Sequence, residues 1–117
     1  MDTMSDSKFT KVKSIKNKNK KGFMDVICER EKVFINLHEV LYIERNTRKV
    51  RIVAEDVEYM TYESLNSLIG RLPDNFIRCH TGYIVNMNYV KSIHTNYLVL
   101  KNDMKISIGR AYKGALS

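Results

Sequence analysis

The chain has 117 residues, of which 44% are hydrophobic and 28% are charged, and its formal net charge is +7. Length and composition are those of an ordinary soluble protein with one domain, and no apolar run reaches the roughly 18 residues of a membrane span. The N-terminus has lysines but lacks the apolar segment of a secretory signal. Cys28 and Cys79 form no disulfide scaffold or paired metal motif, so we expect a cytoplasmic protein with reduced thiols.

Positive charge is concentrated at the two ends of the sequence. Residues 1–22 contain seven lysines against two aspartates, a net charge of +5. Residues 23–75 have a net charge of −3, and residues 76–117 have a net charge of +5. Because the first segment is polar and poor in aromatic residues, it predicts a disordered tail ahead of a folded domain over residues 23–117. The tail is either a solubilising linker or an arm that binds nucleic acid.

The first half of the domain predicts hairpins. Short β-prone runs cover residues 23–29, 32–37, 40–44, 50–54 and 57–62. Polar turn residues separate these runs, as in adjacent antiparallel strands. The segment Asn46–Lys49 is expected to be a basic loop between the third and fourth strands.

A short helix follows these strands. Leu65, Leu68, Ile69 and Leu72 recur at i, i+3, i+4 and i+7, which is one apolar helical face. Either Thr61 or Ser64 would cap the start of this helix, and Gly70 and Pro73 mark its end.

The rest of the chain returns to β structure. Strands are predicted at residues 76–79, 82–86, 90–93, 97–100 and 104–108, with a tight turn at Asn102-Asp103. The segment FIRCHTGYIVN is unusual, because Arg78, Cys79 and His80 interrupt β-prone residues and are followed by Thr81-Gly82. The sequence therefore predicts a mainly β domain with one packed helix and an irregularity at this point.

No pattern supports catalysis, a metal site or a cofactor. His38, His80 and His94 are scattered, and no Gly-rich phosphate loop or paired carboxylates are present. Cys79 and His80 are adjacent on a strand, so their side chains should point to opposite faces. We expect Cys79 to be a small core residue. The alternative is a redox-sensitive thiol, whose pKa Arg78 and His80 would lower.

Binding to a polyanion is better supported, because basic and hydrogen-bonding residues recur where strands are expected to turn. Such side chains can meet both phosphates and base edges. The candidate DNA-binding residues are Asn46, Thr47, Arg48, Lys49, Arg78, His80, Thr81, Lys91, Arg110 and Lys113. Two alternatives stay open: a small β domain that stacks single-stranded nucleic acid on exposed tyrosines, and a protein-interaction domain with an incidental basic tail.

Three segments carry a resemblance to a known family. They are EVLYIERNTRKVRI (39–52), YESLNSLIGRLPDNFIRCHTGYIVNMNYVKSI (62–93) and LVLKNDMKISIGRAYK (98–113). In this order they resemble the LytTR DNA-binding domain, the effector domain of many bacterial response regulators in two-component systems. The resemblance implies small stacked antiparallel sheets and a transcriptional regulator whose inter-strand loops enter the major groove of double-stranded DNA. It also implies tandem-repeat sites that hold a second copy of the protein, and bent DNA.

The resemblance places base and phosphate contacts at Asn46–Lys49, at His80-Thr81 and at Arg110. Thr81 stands where similar domains often have a longer Arg or Asn, and Gly109 stands where Ser is common. Response regulators of this type carry an N-terminal phospho-acceptor (receiver) domain, which residues 1–22 cannot form. The chain is therefore expected to be either an excised effector domain or a stand-alone member controlled in another way.

Overall fold

The computed structural model describes residues 22–116, so the predicted tail lies outside the described residues except for Gly22. Its strands are β1 (Phe23–Cys28), β2 (Glu31–Asn36), β3 (Val40–Asn46), β4 (Lys49–Ala54), β5 (Glu58–Thr61), β6 (Phe76–His80), β7 (Tyr83–Asn86), β8 (Val90–Ile93), β9 (Tyr97–Leu100) and β10 (Lys105–Ser107). The helices are the α-helix α1 (Leu65–Ile69) and three 3-10 helices, Leu37–Glu39, Met87–Tyr89 and Arg110–Leu116.

The strands form three small antiparallel sheets, which confirms the predicted fold class. The central sheet has five strands in the order β5-β4-β3-β7-β6. A separate hairpin pairs β1 with β2, and a three-stranded sheet has the order β10-β9-β8. All pairings join antiparallel neighbours.

Apolar residues bury both faces of the central sheet. Side chains alternate along a strand, so Ile43 and Tyr42 of β3 enter different cores. The helix-side core joins the central sheet to α1 and the β1–β2 hairpin, and contains Met24, Val26, Ile35, Leu37, Val40, Ile43, Val50, Ile52, Ala54, Leu65, Leu68, Phe76 and Ile84. The sheet-side core joins it to the three-stranded sheet, and contains Leu41, Tyr42, Cys79, Val85, Leu98, Leu100, Ile106 and Ile108.

The predicted helix is confirmed, and Ser64 is its N-cap. The Oγ atom of Ser64 accepts a hydrogen bond from the backbone N–H of Ser67 at 3.1 Å, which satisfies one of the free donors of the first turn. The helix ends at Gly70, so Leu72 lies beyond it and packs against the core from the following turn.

The predicted turns are in the right places but differ in length. β3 continues through Asn46 and β4 begins at Lys49, so the expected loop is a two-residue turn, Thr47-Arg48. Thr47 has φ of 59°, which is uncommon for a β-branched residue. The turn predicted at Asn102-Asp103 has three residues, because the N–H of Leu100 donates to the carbonyl of Met104 at 2.9 Å and Asp103 adopts φ of 70°.

The central sheet has two unlike ends. The basic end carries the β3–β4 turn and the β6–β7 turn Thr81-Gly82, and the distal end carries the β4–β5 connection (55–57) and the first two 3-10 helices. Because the strands are antiparallel, each turn falls unambiguously at one end or the other. Arg45, Arg48, Lys49 and Arg78 lie at the basic end, whereas Glu39 and Glu55 lie at the distal end.

Candidate nucleic-acid interface

Three segments that are far apart in sequence meet at the basic end. The backbone N–H of Arg45 donates to the carbonyl of Gly82 at 2.9 Å, which joins the β3–β4 turn to the β6–β7 turn. The N–H of Gly109 donates to the carbonyl of Cys79 at 2.8 Å, which brings the segment after β10 against β6. The structure thus gathers the predicted residues Asn46–Lys49, His80-Thr81 and Arg110 at one end of the sheet.

A β-bulge in β6 explains the irregular segment Arg78-Cys79-His80. Arg78 pairs with Ile84 and His80 pairs with Tyr83, so Cys79 is the extra residue of the bulge. The bulge directs the thiol of Cys79 into the sheet-side core. It leaves Arg78 on the face that carries α1, because its pairing partner Ile84 belongs to the helix-side core.

Arg78 holds the β6–β7 turn in place. Its Nη2 donates to the carbonyl of Thr81 at 2.7 Å, and its Nε donates to the carbonyl of His80 at 3.2 Å. Its Nη1 donates to Oδ1 of Asn66 in α1, also at 2.7 Å. Most of the guanidinium donors are therefore used inside the domain, so Arg78 supports the contact surface.

The ring of His80 is oriented by the same turn. Its Nδ1 accepts a hydrogen bond from the backbone N–H of Gly82 at 3.0 Å. Because an amide N–H can only donate, Nδ1 must carry a lone pair in this arrangement, and the proton of the neutral ring belongs on Nε2. His80 thereby becomes a hydrogen-bond donor toward a partner.

Gly109 allows the C-terminal segment to approach His80 closely. A Cβ atom at position 109 would lie 3.5 Å from Cα of His80 and 3.1 Å from Cδ2 of Tyr112. The second distance is tighter than ordinary van der Waals contact, so a serine would displace the Tyr112 ring. The departure noted in the sequence at Gly109 therefore has a packing reason.

The tips of the three segments present free side chains. Within residues 22–116, the exposed side chains at these tips make no hydrogen bond or ion pair: those of Asn46, Thr47, Arg48, Thr81 and Arg110. Asp103, the one acidic residue of segment 76–117, accepts from Lys91. The guanidinium groups of Arg48 and Arg110 are thus presented to solvent beside the two turns.

The other two predicted lysines occupy different places. Lys91 follows Val90 at the distal end, and its Nζ pairs with Oδ1 of Asp103 at 2.6 Å, so the structure does not bring it to the basic end. Lys113 lies in the last 3-10 helix, where its Nζ donates to Oδ1 of Asn96 at 3.0 Å. Asn96 also accepts from the N–H of Ile108 through its carbonyl, which ties the β8–β9 connection to the C-terminal segment.

A basic depression on the helix side of this end was not predicted from the sequence. The depression has a volume of about 160 Å³, and its lining includes Arg45, Arg48, Lys49, Tyr62, Asn66 and Arg78. The side chain of Lys49 lies over the Tyr62 ring, with Nζ 5.2 Å from the ring centroid. Tyr62 was missed because it was assigned to a strand, although it is 73% exposed. Arg45 was missed because it lies between the predicted strand 40–44 and the predicted loop Asn46–Lys49.

Cys79 is a core residue. It is 0% exposed, and burial raises the pKa of its thiol to about 11, more than the nearby charge of Arg78 lowers it. The premise of the redox interpretation, a pKa lowered by Arg78 and His80, is therefore wrong.

The tyrosines are divided between the core and the surface. Tyr42 is buried, whereas Tyr83 and Tyr97 are half-buried. Among the described residues, no three His, Cys, Asp or Glu side chains gather closely enough to hold a metal ion. None of the helices between residues 22 and 116 has the length and apolarity needed to cross a membrane.

Comparison with known proteins agrees with the geometry. The chain is 26% identical to the sensory transduction protein LytT of Bacillus cereus over 127 aligned positions, covering 96% of this chain and 52% of that protein. It is 37% identical to the transcriptional regulatory protein NatR of Bacillus subtilis over 54 residues, covering 45% of this chain and 23% of NatR. The chain thus spans about half or less of the length of these curated relatives.

A solved structure has the same architecture. It is the LytTr DNA-binding domain of a putative methyl-accepting/DNA response regulator from Bacillus cereus, which matches with a TM-score of 0.71 and 25% identity. The match covers 83% of this chain and 94% of that structure. Residues 30–117 also match the family model of the LytTr DNA-binding domain. The chain therefore belongs to the LytTR family of DNA-binding domains.

Proposed function

We propose that this chain binds double-stranded DNA in a sequence-specific manner, and that the two turns and Arg110 at the basic end enter the major groove. The observation that carries the proposal is the convergence of three distant segments whose exposed side chains have no partner within residues 22–116. Backbone hydrogen bonds and Arg78 fix the positions of these segments, so the side chains are held in place before DNA arrives. Membership of the LytTR family supports transcriptional regulation as the role.

The chemistry of these side chains fits base and phosphate recognition. Arg48 and Arg110 offer guanidinium forks that match O6 and N7 of guanine or two oxygens of a phosphate. His80 offers an Nε2 donor for an acceptor on a base edge or a phosphate. Thr81 offers a hydroxyl with a shorter reach, so its contact is the one that depends most on how deeply the turn enters the groove.

We further propose that two copies occupy tandem repeats in bent DNA, and that the domain is the effector part of a signal-responsive regulator. Regulatory relatives about twice as long as this chain support the second of these two proposals.

The test is a binding titration with three nucleic acids: a tandem-repeat duplex selected from a random pool, a random duplex and a random single strand. We expect preference for the selected duplex, and a steep fall of log K with log salt as phosphate counterions are released. Preference for the single strand would support the stacking alternative, and no binding to any of the three at low salt would support the protein-interaction alternative.

Residues 1–22 are proposed to add affinity without sequence preference, because their lysines offer positive charge to phosphates, which carry no sequence information. Deletion of residues 1–20 should weaken binding to selected and random duplexes by a similar factor. A larger loss on the selected duplex would show that the segment reads sequence.

A further inference from the structure

The basic depression at the helix side of the basic end is built from two strands and the start of α1. Arg45 and Val50 pair across β3 and β4, and Val50 lies in the helix-side core. Leu65 and Asn66 of α1 close the depression on one side, and Arg78 closes it on another. It is an open hollow of about 160 Å³ next to the β3–β4 turn.

The electrostatics of this depression favour an anion. Four of its lining residues are cationic, Arg45, Arg48, Lys49 and Arg78, and no carboxylate from residues 22–116 lines it. Nearby carboxylates are already paired elsewhere. Glu63 binds Arg71 at 2.8 Å, and Glu44 binds Arg51 at 3.1 Å.

The cations of the depression have different tasks. Arg78 is used by Asn66 and the β6–β7 turn, and Lys49 is held against the Tyr62 ring. The side chains of Arg45 and Arg48 make no hydrogen bond or ion pair within residues 22–116. Two free guanidinium groups therefore border a concave site that also contains the amide of Asn66 and the exposed phenol of Tyr62.

We propose that this depression binds one backbone phosphate of bound DNA, with Arg45 and Tyr62 as contact residues. The inference rests on the proposed function and adds to it a site on the helix side of the sheet. A guanidinium fork is suited to phosphate oxygens, and the fixed Lys49 adds a point charge.

The position fits the rim of a groove. The depression lies on the helix side of the central sheet, whereas Lys113 and Asn96 lie on the side of the three-stranded sheet. Stacked sheets are about 10 Å apart, and the major groove is about 12 Å wide. When the turns at the end of the central sheet enter the groove, each face of the sheet is directed toward one of the two DNA strands. The depression then lies beside the phosphates of one of these strands.

The experiment compares three variants of the full chain, Arg45→Gln, Tyr62→Ala and Lys101→Gln. Lys101 is an exposed control in the β9–β10 turn at the distal end, and its replacement removes the same charge. We expect Arg45→Gln to weaken binding to the selected and the random duplex equally, by roughly 5- to 10-fold at about 0.1 M salt, and to lower the salt slope by about one. Tyr62→Ala should weaken both by a smaller factor, and Lys101→Gln should change neither.

Single methylphosphonate linkages, which remove the charge of one phosphate, locate the contact. When the methylphosphonate replaces the phosphate that Arg45 contacts, Arg45→Gln should cause no further loss of affinity. The protein variant and the modified linkage then remove the same interaction. An effect of Arg45→Gln confined to one base pair, or no coupled linkage at any position, would overturn the proposal.

Two further measurements separate the other outcomes. Inorganic phosphate, titrated while the amide signals of residues 45–66 are followed, should bind weakly and be displaced by duplex. Tight binding of free phosphate that duplex does not displace would instead indicate a site for a small phosphate ligand.

If Arg45→Gln does not fold, as its melting curve would show, the same linkage test is made with Tyr62→Ala, whose side chain is exposed. If the folded variants bind as wild type does and wild type still prefers the selected duplex, the phosphate site is wrong and the proposed function stands. If wild type binds no duplex at all, the proposed function itself is wrong.

Discussion

The two ends of the central sheet satisfy their polar groups in opposite ways. At the distal end, Asn86 is 0% exposed, and its Nδ2 donates to the carbonyl of Val40 at 2.8 Å. Its Oδ1 accepts from Nδ2 of Asn75 at 2.8 Å and from the N–H of Asn88 at 2.9 Å. The basic end instead leaves side-chain donors exposed at the turn tips. Antiparallel pairing alone does not distinguish the ends, so the difference lies in which side chains occupy the turns.

The comparison also shows how a turn is positioned without using its own side chains. The β6–β7 turn is held by Arg78 from the strand before it and by the N–H of Arg45 from a neighbouring strand. The turn tip therefore keeps Thr81 free for a partner. At the distal end, the hydroxyl of Tyr89 is used inside the domain and donates to Oε2 of Glu55 at 2.6 Å.

The largest effect is expected for Asn86→Ala at the distal end. Removing this side chain takes away the buried bond to the carbonyl of Val40 and the acceptor of the part-buried amide of Asn75. The free energy of unfolding should fall by about 2–4 kcal/mol, because each buried polar group left unpaired costs roughly 1–3 kcal/mol. Denaturant unfolding measures the loss. At a temperature where the variant is folded, the ratio of affinities for selected and random duplex should be unchanged, and a changed ratio would mean that the distal end takes part in recognition.

The next effect is expected for Arg110→Ala at the basic end. Its free side chain predicts a loss of roughly 1–3 kcal/mol of binding free energy, confined to one base pair if the guanidinium reads a base. A phosphate contact would give a uniform loss and a salt slope lower by about one. Arg110→Lys should not fully restore binding, since Lys lacks the planar fork. Affinities for single-base variants separate these outcomes, and an unchanged affinity for every duplex would remove Arg110 from the interface.

A third effect is limited to alkaline pH. Burial raises the pKa of the Cys79 thiol from 9.0 to about 11. The unfolded chain therefore loses this proton at lower pH than the folded chain, so Cys79 lowers the free energy of unfolding as pH rises from 9 to 11, by up to about 2–3 kcal/mol. Burial and the bond to Glu55 raise the pKa of Tyr89 to about 12, which acts in the same direction. Comparison of wild type with Cys79→Ala isolates the thiol.

Binding at neutral pH supplies the control for that prediction. Cys79→Ala should bind DNA nearly as wild type does, and Cys79→Ser should lose roughly 1 kcal/mol of stability by burying a hydroxyl. Peroxide that abolished DNA binding of wild type but spared Cys79→Ala would contradict the core assignment.

Strands, the helix and the turn positions could be predicted from the sequence because local periodicity and turn residues determine them. The start of the helix near Thr61 or Ser64, the turn within Asn46–Lys49 and the turn at Thr81-Gly82 are examples. The bulge at Cys79 could not be located, because it depends on how β6 aligns with β7. The depression lined by Arg45 and Tyr62 could not be located for a similar reason, since it forms where β3 and β4 meet the start of α1 and Arg78 of β6.

The two 3-10 helices of the distal end begin with the same sequence pattern. Asn36 and Asn86 each follow an apolar strand residue and precede a valine by four positions, at Val40 and Val90. In both segments the Asn side chain accepts from the backbone N–H two residues on, which is the Asx arrangement that starts a turn. This repeated local pattern predicts both helices.

The smallest effect is expected for Lys91, which the sequence grouped with the basic residues and the structure places at the distal end. Which end a residue of β8 occupies depends on its pairing with β9, where Val90 lies opposite Leu100. The pair with Asp103 is exposed on both sides, so it contributes roughly 0–1 kcal/mol to stability. Lys91→Ala should therefore leave the salt slope of DNA binding unchanged, whereas Arg48→Ala should lower it by about one. Measuring both slopes on the same random duplex tests the comparison directly: equal decreases would mean that DNA contacts both ends of the sheet, and the division between a recognition end and a structural end would be wrong.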